Sequence, residues 1–527
     1  MVDLATPEKV DAVIVGGGAA GCLIAAKLSQ RGKHVVILEQ GPAWEPEDLV
    51  SSQIWNRRLK WAGSVVQVAG KHPIGHNYNT GWGMGGAALH HFGNWPRLHE
   101  ADFHVKSEHG KGLDWPIGYA DLRPWYDRVQ REVGLAGDAK REVWRPPGEP
   151  YPMPPLQSFR QGEVLAKGFA SIGLRTAPMP AAINSVAYKG RPACLYDGWC
   201  EAGCPIGALV NPQATYLAQA RKAGTDIRPH STVTRVLTDA RGGRAIGVEY
   251  YDAEQARHVQ PAGLVILASN AVQNPRLLLN SATDKHPDGL ANSSGLVGRY
   301  FMAHFGAAVK ALFDEDLENY RGTSGNQFMC QDGYGKARSN GPFGSYTWQI
   351  GAAVKPNDIT GIATARGDLF GTALHDFFKR AARGLTGLNA MGEQLPDPDN
   401  RVVLSDLKDA HGFPVARVVH SADDNLLRLA QHCQDEGKAV MKAAGATEIW
   451  TPPNLGWIHV MGGTVMGRTA QDSVCDSFGR THDVANLVLA GTGLNPTEGG
   501  VHPTFTLHAL AMRASDHMLA HWGSYTA

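Results

Sequence analysis

Two histidines stand beside glycine- and proline-rich turns near the C-terminal end of the chain. His459 opens the run HVMGGTVMG (459–467), and His502 lies in NPTEGGVHPTFT (495–506), 43 positions further on. Oxidation of an alcohol needs a base that takes the hydroxyl proton while a hydride leaves the carbon, and the pKa of histidine suits that work near neutrality. His459 and His502 are therefore candidate acid–base residues, although a histidine is more often a surface or core residue.

Three of the seven cysteines lie close together in the sequence. Cys194, Cys200 and Cys204 have the spacing C-x5-C-x3-C, and Pro205 follows the last of them. Thiolates this close favour a soft metal centre, and proline after the last ligand is a habit of iron–sulfur loops. Zinc would need a fourth ligand and usually C-x2–4-C spacing. The alternative is three partly buried thiols, or a disulfide, without any metal.

A glycine-rich hexapeptide near the N-terminus could bind a dinucleotide. Gly16, Gly18 and Gly21 satisfy G-x-G-x-x-G, where they permit a tight turn, close approach of a pyrophosphate, and packing of a helix on a strand. The phosphates would lie at the helix N-terminus, where unpaired N–H groups favour anions. Glu39, eighteen residues after Gly21, is placed to accept from ribose hydroxyls. The motif predicts adenine-dinucleotide binding and does not separate FAD from NAD.

The elements around this hexapeptide form a predicted β-α-β unit. Local patterns indicate a strand at 11–15, a helix at 19–30, a strand at 34–39, a buried strand at 263–268, and helices at 275–280, 423–444 and 503–520. Residues 58–155 show little periodicity and are expected to wrap the ligand rather than to form a regular layer. A nucleotide-binding domain in separated pieces, with a substrate domain inserted between them, accounts for this order.

Composition excludes several other classes of protein. A length of 527 residues predicts two or more domains, and 43% hydrophobic with 19% charged residues is typical of a globular chain. The net charge of zero gives no support for nucleic acid as a partner. We see no apolar run of 18 residues and no signal sequence at Met1–Val10, so the chain is not expected to be transmembrane. An odd number of cysteines argues against a secreted disulfide framework.

Taken together, these motifs resemble the glucose-methanol-choline (GMC) oxidoreductases. The resemblance runs over essentially the whole chain and is closest to bacterial sugar and polyol dehydrogenases, the catalytic subunits of glucose, fructose and gluconate dehydrogenases. Besides the runs quoted above, it is carried by GMGGAALHH (83–91), WPIGYADLRPWYDR (115–128), VILASNAVQNPRLLL (265–279), GLANSSGLVGR (289–299) and LPDPDNRVVLS (395–405).

The resemblance implies an α/β fold with a Rossmann-like FAD-binding domain of the GMC type and an inserted α+β substrate-binding domain on an antiparallel sheet. The FAD-binding domain would comprise residues 1–100, 200–305 and 450–527. The substrate-binding or cap domain would comprise residues 101–199 and 306–449, with the cysteine-rich loop at 194–204 near the flavin.

The resemblance also assigns residues to the flavin site. His459 would be the base and His502 its hydrogen-bonding partner, a position at which many relatives have asparagine. The helix after Pro503 would direct its positive end at the flavin. His90 would either carry a covalent bond to FAD or pack against a non-covalent flavin, and the adjacent His91 blurs the register. Further contacts with the cofactor would come from Gly85, Val233 and Gly491.

For the cysteine loop, the resemblance implies a 3Fe-4S cluster. The sugar dehydrogenases share the spacing and the run CPIGA, which stands here at 204–208. They often have a cysteine doublet at the first position, whereas Ala193 precedes Cys194 here. The expected ligands are Cys194, Cys200 and Cys204. The other four cysteines are expected to be packing residues.

The expected function is FAD-dependent oxidation of a hydroxyl group of a sugar, glycoside or polyol, with single electrons passing through the cluster to an external acceptor. A small accessory subunit or a cytochrome would be the partner. Related subunits lack a signal of their own and can be exported with a partner, so both a cytoplasmic and a periplasmic location stay open. The alternatives are a cluster-free oxidase that uses dioxygen and a non-redox lyase on the same flavin scaffold.

Overall fold

The computed structural model describes residues 8–60, 63–75, 80–339 and 341–527. Most of the N-terminal stretch inspected above for a signal sequence lies outside these residues. The α-helices are α1 Ala19–Ser29, α2 Val105–His109, α3 Tyr119–Val133, α4 Arg160–Ser171, α5 Tyr216–Lys222, α6 Gln273–Asn280, α7 Pro356–Thr364, α8 Gly371–Gly384, α9 Asp424–Ala443, α10 Thr504–Ala520 and α11 Trp522–Thr526. The strands are β1 Val10–Val15, β2 Val35–Leu38, β3 Val66–Ala69, β4 Ala177–Pro178, β5 Asp226–Arg228, β6 Thr232–Thr238, β7 Ala245–Tyr251, β8 Arg257–Leu267, β9 Met302–Leu312, β10 Phe328–Cys330, β11 Tyr346–Ile350, β12 Leu385–Gly392, β13 Arg401–Lys408, β14 Pro414–Val419, β15 Glu448–Trp450, β16 Gly456–Met461 and β17 Leu487–Leu489.

The first sheet is the predicted nucleotide-binding layer. Its strands have the order β5-β2-β1-β8-β7-β6, and β17 pairs with β8. The pairs of β1 with β2 and β8, of β2 with β5 and of β8 with β17 are parallel, whereas β6 and β7 form an antiparallel extension. The central strand β1 is buried on both faces, as a continuous apolar run in a parallel sheet requires. The β-α-β unit predicted at the N-terminus is confirmed.

The second sheet is antiparallel and has the order β15-β9-β12-β11-β10-β4, with β16 on the same edge of β9 as β15. One face of this sheet packs on α4 and α9. Along β9, Phe305, Ala307 and Val309 belong to that core. Because side chains alternate across a strand, the residues between them lie on the opposite face, which the cavity described below adjoins.

A small third sheet, β13-β14-β3, completes the fold. The architecture confirms the predicted α/β class, with a Rossmann-like sheet and a separate antiparallel sheet, while the domain boundaries given above stay predictions. In the part of the chain that the structure describes, no helix combines the length and the apolar composition that crossing a membrane requires.

The expectation that residues 58–155 have little periodicity is wrong in part. Helix α3 spans fifteen residues of this stretch and packs on α10. Its buried side chains include Leu122, Tyr126, Val129 and Val133, whose spacing of three and four residues is that of one helix face. The apolar spacing of a helix was therefore present in the sequence, but Pro124, which is unfavourable inside a helix, argued against a helix there.

Candidate active site

A cavity of about 510 Å³ is lined by residues of both large sheets and by the N-termini of α1 and α10. It collects residues that are widely separated in the sequence. Eight of the predicted site residues line it, namely Gly16, Gly18, Glu39, His90, Val233, His459, Gly491 and His502. Gly21 and Gly85, which were also predicted, are not among the residues that line the cavity.

The dinucleotide loop forms one end of the cavity. Gly16 has a φ of +103°, and a Cβ atom there would lie 2.9 Å from the carbonyl oxygen of Ala268, so the turn needs glycine. Gly18 has open space where a Cβ would be, and it lies at the N-terminus of α1. At Gly21 a Cβ would lie 2.1 Å from the carbonyl oxygen of Gly16. The helix can pack this closely on the turn because glycine has no Cβ.

Glu39 and Gly85 hold this loop in place. The amide of Gly17 donates to one carboxylate oxygen of Glu39 at 2.8 Å, and the amide of Gly41 donates to the other at 2.9 Å. The amide of Gly85 donates to the carbonyl oxygen of Gly17 at 2.7 Å. Each carboxylate oxygen of Glu39 has further lone-pair capacity, so the residue can accept from a ligand hydroxyl while it anchors the loop.

The two adjacent histidines of the GMGGAALHH run both line the cavity but differ in their hydrogen bonds. His91 is tied on both ring nitrogens: Nε2 lies 2.7 Å from the carbonyl oxygen of Val210, and Nδ1 accepts from the amide of Gly93 at 3.2 Å. His90 lines the cavity, and its buried Nε2 has no partner in the protein. Burial lowers the pKa of His90 to about 3, so its ring is neutral.

His459 lies at a β-bulge. In the pairing of β16 with β9, Ile458 is opposite His304 and Val460 is opposite Ala303, so His459 is the extra residue. Its φ of +55° falls in the left-handed region, which is uncommon for a residue with a side chain and is concentrated at functional sites. The ring of His459 lies 5.2 Å from that of His502, centroid to centroid.

His502 directly precedes Pro503, after which α10 begins. Its Nε2 lies 3.3 Å from the side-chain nitrogen Nδ2 of Asn94 and 3.2 Å from the side-chain nitrogen Nε2 of Gln349. Burial lowers its pKa to about 3, and burial together with the neighbouring rings lowers the pKa of His459 well below its ordinary value. Both rings are therefore neutral, and the free N–H groups of the first turn of α10 lie at the cavity.

Several cavity residues were missed by sequence reasoning. Gln349 on β11 is paired directly with Asn389 on β12, and both side chains line the cavity together with Trp457. His304 on β9 contacts His459. The alternation of polar or small residues with Phe305, Ala307 and Val309 in the run HFGAAV was the signal that could have placed His304 on the cavity side.

The three clustered cysteines come together in a small apolar core with Ala181, Ile183, Leu156 and Leu209. None of the seven cysteines is in a disulfide, and the other four are buried, as expected of packing residues. Across the described ranges, no three His, Cys, Asp or Glu side chains are placed to share one metal ion. The sulfur of Cys194 accepts from the amide of Tyr196 at 3.3 Å, and that of Cys204 accepts from the amide of Leu209 at 3.4 Å.

Comparison with known proteins identifies the family. The sequence profile of the GMC oxidoreductases matches residues 10–306 and, in its C-terminal part, residues 396–511. The fructose dehydrogenase large subunit of Gluconobacter japonicus is 31% identical over 97% of both chains. The 2-methyl-1,2-propanediol dehydrogenase of Mycolicibacterium austroafricanum is 32% identical over 97% of this chain and 95% of that protein.

Among solved structures, pyridoxine 4-oxidase of Mesorbium loti superimposes with a TM-score of 0.69 at 16% identity, over 97% of this chain and all of that one. This similarity shows a common fold. The chain therefore belongs to the GMC oxidoreductase family and is an FAD-dependent oxidoreductase that acts on CH–OH groups.

Proposed function

We propose that this enzyme is a dehydrogenase that oxidises a hydroxyl group of a sugar, glycoside or polyol. The observation that carries the proposal is the pair of neutral rings, His459 and His502, in the wall of the cavity that also contains the dinucleotide loop. A base and a hydrogen-bonding partner for one hydroxyl are what oxidation of an alcohol requires of the protein.

The residues present fit FAD. Gly16, Gly18 and the N-terminus of α1 would hold the pyrophosphate, and Glu39 would accept from the ribose. The buried, unpartnered Nε2 of His90 and the free N–H groups of α10 would face the flavin, the latter favouring negative charge on it. When bound, FAD would supply the acceptor for the substrate hydride.

His90 is the only one of the two adjacent histidines with a nitrogen free to bond the flavin. A covalent bond through His90 is therefore the form of attachment that we propose. We expect that the flavin remains with the wild-type protein after acid precipitation. In His90→Ala, acid should extract it. Complete extraction from both would mean that His90 packs against a non-covalent cofactor.

The surroundings of His502 support the part that we propose for it in the reaction. The amide of Asn326 donates to Oδ1 of Asn94 at 3.1 Å, which turns the NH₂ group of Asn94 towards Nε2 of His502. Gln349 presents its NH₂ group to the same nitrogen. A neutral His502 therefore accepts at Nε2 and carries its proton on Nδ1, so it acts as a hydrogen-bond donor while His459 acts as the base.

The wall beside this pair suits a substrate with several hydroxyl groups. Gln349 and Asn389 are cross-strand neighbours on the cavity face of the second sheet, and an amide both donates and accepts. Trp457 also lines the cavity. Hydroxyls, which also donate and accept, match such a surface better than a purely apolar alcohol would.

We further propose a 3Fe-4S cluster on Cys194, Cys200 and Cys204. The thiolates of a cluster bind different irons, so they need not converge on one point as ligands of a single ion do. The apolar surroundings of the cysteines and the N–H groups that donate to two of the sulfurs suit such a group, since hydrogen bonds to sulfur tune iron–sulfur centres. When bound, it would carry single electrons to an external acceptor.

An acceptor of single electrons implies a partner protein. We propose an accessory subunit or a cytochrome in that role; the relative from Gluconobacter japonicus is itself the large subunit of a fructose dehydrogenase. Whether the enzyme works in the cytoplasm or the periplasm would follow from the partner.

The proposed function is tested by measuring the two half-reactions separately. Anaerobic mixing with a panel of sugars and polyols should bleach the flavin, and an artificial one-electron acceptor should reoxidise it faster than dioxygen does. Cys200→Ser should lose iron and slow reoxidation while flavin reduction survives, and Cys433→Ser, a packing cysteine, should change neither. Faster reoxidation by dioxygen in an iron-free protein would indicate an oxidase, and a flavin that no alcohol bleaches would indicate a lyase.

A further inference from the structure

His304 is a fully buried histidine on β9 whose two ring nitrogens both have partners. Its Nε2 lies 2.7 Å from the carbonyl oxygen of Gly499, and its Nδ1 lies 3.3 Å from Nδ1 of His459. The two rings are nearly perpendicular, at 88°, with centroids 5.4 Å apart. His304 is thus the residue through which the bulged His459 is joined to the backbone of the loop before His502.

The hydrogen bonds from Gly499 through His304 to His459 form a chain. The carbonyl oxygen of Gly499 fixes where the protons lie along it. A carbonyl oxygen can only accept, so Nε2 of His304 must carry a proton and donate it to Gly499. Burial lowers the pKa of His304 to about 4, which leaves the neutral ring with that single proton. Nδ1 of His304 therefore has a lone pair, and the facing Nδ1 of His459 must be the donor. The one proton of a neutral His459 is then on Nδ1, and its Nε2 is left as the unprotonated nitrogen.

The carbonyl group of Gly499, at the end of this hydrogen-bond chain, is itself held in place by its neighbours. The amide of Gly500 donates to the hydroxyl of Tyr334 at 3.0 Å, and that hydroxyl donates to a carboxylate oxygen of Asp102 at 2.7 Å. Glu498 accepts from the amide of Gln394. The carbonyl of Gly499, which lies between these two contacts, is therefore fixed in direction and can set the tautomer of His304.

We propose that His304 is a positioning residue that holds His459 in the Nδ1–H tautomer and so leaves Nε2 of His459 as the base for the substrate hydroxyl. The inference rests on the proposed function for the identity of the base, and it adds what fixes that base in its reactive form. His304 itself exchanges no proton with the substrate in this scheme.

Two variants separate this role from simple packing. In His304→Gln, the amide can still donate to Gly499 and accept from Nδ1–H of His459, whereas His304→Leu fills the space and can do neither. With equal FAD content, flavin reduction by substrate should slow by roughly 100-fold in His304→Leu, because a base in the wrong orientation or tautomer loses the lower end of the roughly 100- to 10,000-fold that general-base catalysis contributes. In His304→Gln, which keeps both hydrogen bonds, it should slow by less than about 10-fold. Equal rates in the two variants would overturn the proposal.

Nitrogen NMR gives a test that does not need turnover and that examines the wild-type site directly. In ¹⁵N-histidine-labelled wild-type holoenzyme, the signals of His459 are identified by their loss in His459→Gln. Nδ1 should bear the proton and Nε2 should not. A proton on Nε2 of wild-type His459 would refute the proposal outright. If the expected tautomer is found but no alcohol reduces the flavin, the positioning by His304 stands and the proposed reaction fails.

Discussion

At the scale of single residues, the active site is built from histidines kept neutral by burial. Burial lowers the pKa of His90 and His502 to about 3 and that of His304 to about 4, and it lowers the pKa of His459 as well. A neutral imidazole donates a hydrogen bond from one nitrogen and accepts one at the other, so each ring has a defined direction of hydrogen bonding. The division of labour that we propose for His459 and His502 rests on the partners of each ring rather than on its charge.

Replacing the two histidines should have unequal effects on flavin reduction. His459→Ala removes the base and should slow the reductive step by roughly 100- to 10,000-fold. His502→Asn should cost less, because an amide can still donate to the substrate oxygen. The double variant should be less impaired than the product of the two, since both residues act on one hydroxyl. Stopped-flow bleaching of the flavin measures all three rates, and a greater loss in His502→Asn would reverse the assigned roles.

At the scale of elements, two glycines of the turn between β1 and α1 differ in their surroundings, so substitutions there can test cofactor binding and folding separately. Gly18 has an extended backbone and an open space at the Cβ position, whereas Gly21 has a carbonyl oxygen only 2.1 Å from that position. We therefore expect that the ligand needs Gly18, whereas the packing of helix on strand needs Gly21. The two positions lie three residues apart in the same motif, yet they should respond differently to the same added methyl group.

Gly18→Ala and Gly21→Ala form a matched pair. Gly18→Ala should fold normally but retain much less FAD, because its methyl group enters the space proposed for the pyrophosphate. Gly21→Ala should lose stability, by about 1–3 kcal/mol, through overpacking against Gly16. Flavin content after gel filtration and urea unfolding of the protein measure the two effects. Full flavin content in Gly18→Ala would show that the pyrophosphate does not lie there.

At the scale of the whole molecule, buried neutral histidines should make stability depend on pH. The ring of His508 on α10 packs against that of Trp95, with centroids 4.6 Å apart, and its Nδ1 lies 2.7 Å from the carbonyl oxygen of Thr504. Burial lowers its pKa to about 4. In the unfolded chain a histidine has a pKa of about 6.5, so the unfolded state takes up the proton first. Stability is then fully present above about pH 6.5 and is lost as the pH falls towards 4.

His508→Gln isolates this contribution, since glutamine cannot titrate and can still donate to Thr504. Between pH 7 and pH 5, the free energy of unfolding of the wild type should fall by roughly 1–2 kcal/mol more than that of His508→Gln. Urea unfolding followed by tryptophan fluorescence at the two pH values measures the difference. An equal fall in both proteins would mean that His508 does not contribute.

The sequence by itself determined the nucleotide-binding unit and the candidate histidines. Gly16, Gly18, Gly21 and Glu39 act through a local turn between a strand and a helix, and local geometry can be inferred from spacing. The apolar periods also predicted α9 and α10 to within one residue at each end. Predictions of this kind succeed because every interaction that forms the element lies within a few residues.

Only the tertiary structure decided how the site works. His304 and His459 are 155 residues apart and meet because β9 pairs with β16, and the bulge that projects His459 exists only in that pairing. Gln349 and Asn389 share a face of the cavity because β11 and β12 are in register. Which ring nitrogen carries a proton depends on these distant partners, and strand register is set by packing across the whole sheet rather than by the residues of one segment.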